Sequence, residues 1–138
     1  MKRFLLSCAM LAAIVTAPVA ARDRQTLAER GQAELAKATK GLVRGEPVRC
    51  LPLSSVQSTQ VITGVGLLYD VGGGRKYLNA PQSGASWLDW NVIPVSTLYG
   101  GSACRLDAVR LIDRNTRMQG GFVVLDDFVP YMRPDRAK

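Results

Sequence analysis

The stretch LLYDVGGGRKYLN, residues 67–79, sets three consecutive glycines and two cations between two apolar runs. Two structures answer to that pattern. A glycine-rich loop cradles phosphate when it leads from a strand into a helix, whose first free N–H groups point at the anion. Here Tyr77, Leu78 and Asn79 follow Lys76, Pro81 comes soon after, and no helical period begins. The glycines therefore read as a hairpin turn, supplying positive φ without a steric penalty. In that turn Val65, Leu67 and Tyr69 pair with Lys76 and Leu78.

The hairpin sets the reading of its neighbours. Beyond Pro47 the hydrophobic period is alternating, and β-branched residues cluster between turn signals at 48–53, 57–63, 65–71, 75–78, 92–99, 108–112 and 122–125. Short strands at such spacing predict a mainly β fold, a small antiparallel barrel or sandwich of about six to seven strands. The connections GGS (100–102), NTRMQGG (115–121) and the central glycines fit hairpins. The one long irregular segment is NAPQSGASWLDWN, residues 79–91.

Upstream, residues 22–40 are rich in Ala, Glu, Lys, Gln and Leu, all good helix formers. Leu27, Gly31, Leu35, Ala38 and Leu42 share a thin apolar stripe that Gly31 weakens, which predicts a single N-terminal α-helix on the edge of the domain. Gly41, Gly45 and Pro47 end it. Residues 1–21 begin with Lys2 and Arg3, continue in an apolar run from Phe4, and close on small residues at Val19, Ala20 and Ala21. This is the pattern of an export signal cleaved before Arg22. A lipoprotein reading at Cys8 leaves only residues 4–7 as the apolar run, which is too short. The expected organisation is a signal peptide at 1–21, helix and linker at 22–44, and one β-rich domain at 45–138, periplasmic or secreted, monomeric, with no membrane span.

Loss of Lys2 and Arg3 with the leader lowers a formal net charge of +7 by two. The remaining cations are scattered among acids, whereas a nucleic-acid binder carries a dense basic stripe, so no nucleic-acid partner is expected. Cys8 leaves with the leader; Cys50 and Cys104 remain and allow one pairing in an oxidising compartment. They are too far apart in sequence for a Cys-x-x-Cys redox pair, so a structural disulfide is expected.

The chain has no histidine. That removes the Ser-His-Asp and Cys-His systems and most catalytic zinc sites, and neither metal nor cofactor is expected. Carboxylate chemistry survives. Asp107, Asp113, Asp126 and Asp127 are the candidates for a carboxylate-dependent enzyme acting on envelope glycans, against the plainer reading of turn aspartates and surface ion pairs. Arg105, Arg110 and Arg114 alternate with Asp107 and Asp113 and read as a strand face neutralised by its neighbours.

Trp87 and Trp90 are the most informative pair. They form either a platform for a sugar or partner side chain, or a plug folded into the open end of a small barrel; with few other aromatics to close a core, the plug is the expectation. If exposed, they combine with Arg75 and Lys76, which the hairpin brings to the same end, as a binding site for an anionic glycan or an acidic patch of an envelope protein. A non-enzymatic exported binding domain is the first functional reading, and the carboxylate enzyme is the alternative.

Three blocks, GEPVRCLPLSSVQSTQVI (45–62), GGSACRLDAVRLIDR (100–114) and GGFVVLDDFVPY (120–131), together resemble an uncharacterised family of small secreted proteobacterial proteins. The resemblance touches Cys50, Ser58, Thr59, Val61, Ile62, Cys104, Asp107, Val109, Asp113, Arg114, Gly120, Gly121, Leu125, Asp127, Phe128, Pro130 and Tyr131. Relatives carry two further cysteines, near the positions of Ser86 and Val123. Their joint absence here implies that those two pair with each other, which leaves Cys50 to Cys104. The resemblance implies a compartment and a fold, and no activity.

Overall fold

The structure is a computed structural model, and it describes residues 26–97 and 100–136. The expected export signal and the start of the expected helix lie outside the described residues. Among the described residues, no helix is long and apolar enough to cross a membrane.

One helix, α1 (Leu27–Ala38), precedes ten strands: β1 (Val43–Arg44), β2 (Cys50–Pro52), β3 (Ser58–Ile62), β4 (Gly66–Asp70), β5 (Lys76–Asn79), β6 (Val92–Ser96), β7 (Ser102–Cys104), β8 (Ala108–Asp113), β9 (Gln119–Val124) and β10 (Phe128–Met132). They form a five-stranded sheet in the order β1-β10-β5-β4-β3, a two-stranded sheet β2-β7 and a three-stranded sheet β6-β8-β9. Every pairing between these strands is antiparallel. The architecture is an open sandwich, not a closed barrel.

The hairpin at residues 67–79 is present, with the alternation shifted by one: Leu68 faces Leu78, Leu67 faces Asn79, and Tyr69 faces Tyr77. Gly73 and Gly74 both have positive φ, 63° and 72°, and Arg75 N–H donates to Gly72 O at 3.1 Å. Two central residues at positive φ make a type I′ turn, whose twist matches the strands it joins. The phosphate reading fails because no helix follows.

β4 is the centre of the fold, buried on both faces. Leu67 and Tyr69 point into the larger core, with Phe128 of β10, Val109, Leu111 and Val123 of the three-stranded sheet, and Leu51 and Ala103 of the small sheet. Leu68 points the other way, into a second core with Leu35, Ile62 and Leu78. Full burial of a leucine contributes about 1.5–3 kcal/mol, so this strand accounts for much of the apolar stabilisation of both layers.

The helix therefore covers one face of the five-stranded sheet instead of resting on the edge of the domain. Gly31 is the reason. A Cβ at that position would overlap the carbonyl of Thr63, so the glycine that looked like a weak point is where helix and sheet approach most closely. The start is fixed by a capping box: Thr26 Oγ1 accepts from Glu29 N–H at 3.2 Å, and Glu29 Oε2 accepts from Thr26 N–H at 2.6 Å.

Three strands had no counterpart in the sequence reading. β1 lies in the expected linker, β7 pairs with β2, and β10 runs between β1 and β5 although it contains Pro130. Pro130 O accepts from Gly45 N–H at 2.8 Å. A residue's nitrogen and carbonyl point to the same side of a strand, so the missing donor faces past the end of two-residue β1 and no bond to β5 is lost. Cys50 and Cys104 are directly opposed on β2 and β7, with Cα atoms 4.0 Å apart, and are joined by a disulfide.

Candidate binding surface

Trp87 closes a short 3-10 turn (Ala85–Trp87), and Trp90 lies just before β6. Neither is a plug: their exposures are 58% and 78%. The residue that fills the end of the sandwich is Leu88, 1% exposed, whose carbonyl accepts from Gly64 N–H at 2.8 Å. With Leu88 turned inward, its neighbours are carried outward. Trp87 lies over Gly121 of β9, where there is no side chain to displace it.

Arg75 and Lys76 are at the other end of β4. The tryptophan loop touches Gly64, ahead of β4, whereas the two cations follow the turn after it. At about 3.3 Å per residue the two ends are roughly 20 Å apart. The joint site of indoles and these two cations does not form. Lys76 Nζ donates to Ala38 O at 2.9 Å, placing its charge on the carbonyl end of α1, where the helix dipole is negative. Arg75 lines a separate cavity of 260 Å³ with Gly72, Gly73, Met132 and Arg136.

A different cation, Arg114, meets the tryptophan loop. β6 and β8 pair so that Val92 faces Asp113, and this brings the β8–β9 turn beside Trp90. Arg114 Nε donates to Trp90 O at 3.1 Å, and Arg114 N–H donates to Asn91 O at 2.8 Å. Asp113 organises the turn: its Oδ1 accepts from Asn115 N–H at 2.9 Å and from Thr116 N–H at 2.8 Å, and its Oδ2 accepts from Asn91 Nδ2 at 2.6 Å. The Thr116 N–H bond above all holds the Asp113 carboxyl below the usual carboxylate range. Arg117 sits at φ 60°, a left-handed conformation that is rare for a residue with a side chain. Met118 after it is 70% exposed.

The tryptophan loop and the β8–β9 turn together present Trp87, Trp90, Arg114, Arg117 and Met118; two carboxylates line the cavity beside Trp87, Asp89, which accepts from Asn91 N–H at 2.7 Å, and Asp113, which accepts four hydrogen bonds from its own turn and Asn91. Of the three arginines expected to be neutralised along a strand face, Arg105 alone is ion-paired among the described residues, and with Asp126 instead of Asp107 or Asp113. Among the described residues the one ion pair is Arg105 Nε to Asp126 Oδ1, 3.1 Å, and Arg110 donates to Thr97 Oγ1 at 3.3 Å. Sequence reasoning missed Arg117 and Met118 because NTRMQGG reads only as a polar turn, and it read Arg114 only as part of a neutralised strand face. The strained Arg117, where a glycine is the easy choice, is visible only from the backbone.

The four candidate carboxylates are distributed over turns. Asp107 Oδ2 accepts from Cys104 N–H at 2.7 Å, at the end of β8 opposite Asp113. Asp126 Oδ1 accepts from Asp127 N–H at 2.8 Å and Gln82 Nε2 at 3.3 Å besides its ion pair; chiefly the Asp127 N–H, then Gln82, holds this carboxyl below its ordinary range. Buried Asn79 clamps the same turn, its Nδ2 donating to Asp126 O at 2.6 Å and its Oδ1 accepting from Asp126 N–H at 3.2 Å. Asp126 and Asp127 line one cavity of 270 Å³ with Arg44, Pro47, Ala80 and Val129, and Asp127 Oδ1 is buried without a partner among the described residues. No three His, Cys, Asp or Glu side chains among the described residues form a metal-ligating group.

Comparison of the chain with protein-family models, curated proteins and solved structures finds no match.

Proposed function

We propose that this chain is an exported, non-enzymatic β-domain of the periplasm or extracellular space, related to the uncharacterised secreted family it resembles, and that it binds an anionic glycan of the envelope through Trp87, Trp90, Arg114 and Arg117. The observation that carries the reading is the pair of exposed indoles on a loop that Arg114 of the β8–β9 turn reaches through the Trp90 carbonyl. Indole faces stack on sugar rings, and guanidinium groups pair with carboxylates or phosphates in planar, two-pronged fashion. The oxidised cysteine pair suits an oxidising compartment. The engagement of Asp107, Asp113 and Asp126 in turn bonds supports binding over hydrolysis.

A titration of tryptophan fluorescence with polygalacturonate, against uncharged dextran, tests it. The expected outcome is saturable quenching by the polyanion that weakens with salt and falls about tenfold or more in Trp90→Ala and in Arg114→Glu, equivalent to about 1.4 kcal/mol. Binding only to an acidic protein from the envelope, or binding that neither substitution weakens, overturns it. The enzyme alternative rests on Asp127 and its unpartnered oxygen. Release of reducing ends from envelope glycans, abolished in Asp127→Asn, is the result that favours it.

A further inference from the structure

The five-stranded sheet ends at β3 and the three-stranded sheet ends at β6, and these two free edges flank an opening into the sandwich. A closed barrel would have paired strands there. The structure has instead a cavity of 260 Å³ lined by Leu53, Val56, Thr59, Tyr69, Pro94 and Ser96. Its position follows from strand alternation. Thr59 faces Tyr69 across the β3–β4 pair, and Pro94 faces buried Leu111 across the β6–β8 pair, so all three point between the sheets.

The lining divides by chemistry. Leu53, Val56, Pro94 and the ring of Tyr69 make apolar walls, and three hydroxyls, from Thr59, Tyr69 and Ser96, are the polar side-chain groups; among the described residues no charged one takes part. None of the three hydroxyls has a hydrogen-bond partner among the described residues, although Tyr69 is only 3% exposed and its ring is fixed against Phe128 at 5.7 Å between centroids. Tyr69 thus turns a free hydroxyl toward the cavity that it lines. Burial also pushes the phenol of Tyr69 far above its ordinary range, so it stays a neutral donor at every physiological pH.

We infer that this cavity binds a small uncharged molecule with an apolar ring or chain and one oxygen acceptor, seated on the apolar walls with its oxygen accepting from Tyr69 Oη. The described lining offers no counter-charge, so an ion resting on the apolar walls gives up hydration without gaining an ionic partner. Size is bounded by the volume, 260 Å³, just below the range of pockets that take drug-sized ligands, so the occupant is small. The inference is independent of the aromatic tip, which lies elsewhere on the fold.

The test uses the mature chain and amide chemical shifts, with acetophenone as probe and benzoate as an anion of the same size. Acetophenone is expected to shift the Thr59, Tyr69 and Ser96 amides saturably at about 1 mM, as suits a ligand this small, with benzoate at least about tenfold weaker. Tyr69→Phe weakens acetophenone about threefold to tenfold, the effect of one hydrogen bond, and Val56→Phe, which fills the mouth, abolishes the shifts while the remaining amides keep their positions. Absence of saturable shifts, shifts centred elsewhere, equal binding of benzoate, or undiminished binding by Tyr69→Phe each overturns the proposal.

Discussion

The β4–β5 and β8–β9 hairpins solve one geometrical problem with opposite chemistry. The first turns on Gly73 and Gly74, which enter positive φ freely, and Lys76 is drawn away from it to the end of α1. The second turns without a glycine. Asp113 gathers the backbone N–H groups of Asn115 and Thr116, and Arg117 takes the left-handed conformation with its side chain intact. A glycine at that position would relieve about 1–2 kcal/mol of strain and would remove an exposed guanidinium from the turn. The difference separates a turn that serves the fold from one that keeps side chains on display, and backbone strain of this kind clusters at functional sites.

The largest effect is expected from the disulfide, because it encloses the first hairpin and leaves the second outside: the bonded cysteines are 54 residues apart, and residues 113–118 lie beyond Cys104. Cys50→Ala should lower unfolding free energy in urea by about 4 kcal/mol through the enlarged unfolded ensemble. A loss well below 1 kcal/mol would mean that the loop is restrained without the bond. Next, Gly74→Val at φ 72° should cost about 1–2 kcal/mol or more, since a β-branched residue tolerates the left-handed region poorly. Thermal unfolding measures this, and binding of polygalacturonate by the folded fraction should be unchanged.

The opposite sign is expected at the second turn. Arg117→Gly relieves left-handed strain and adds chain entropy to the unfolded state, for a net gain of about 0.5–1 kcal/mol, while polyanion binding weakens. A variant that is both less stable and equally good at binding would remove the distinction between the two turns. The smallest effect is the acid response. The Asp113 carboxyl is held below its ordinary value, so its contribution is present above about pH 4, the unfolded range for aspartate, and is lost as pH falls through the lower folded value. Thermal midpoints followed from neutral to acid pH should fall less steeply in Asp113→Asn than in the wild type.

The first hairpin was legible in the sequence because its turn residues are the ones the conformation demands, and the disulfide because only two cysteines follow the expected leader. β10 was not legible: Pro130 argues against a central strand, and only the shortness of β1 makes it harmless. The tryptophans were legible as candidates but not in their direction, since which of Trp87, Leu88 and Trp90 turns inward depends on the contact of Leu88 with Gly64 across the fold. Arg114 reaches Trp90 from 24 residues away, through a strand pairing that no local pattern announces. For the same reason Arg75 and Lys76, close to the tryptophans in sequence, are far from them in the fold.

The bond between β2 and β7 also governs what a protease can do to this molecule. Arg75, Lys76 and the tryptophan loop all lie on the stretch between Cys50 and Cys104, so a single backbone cut anywhere along it yields two pieces that stay tethered through sulfur. Trypsin acting after Arg75 or Lys76 nicks the chain without shortening it, and the fragments separate only once a reductant is added. Beyond Cys104 there is no such tether: a cut after Arg114 or Arg117, on the strained turn, frees β9 and β10 from everything but their packing.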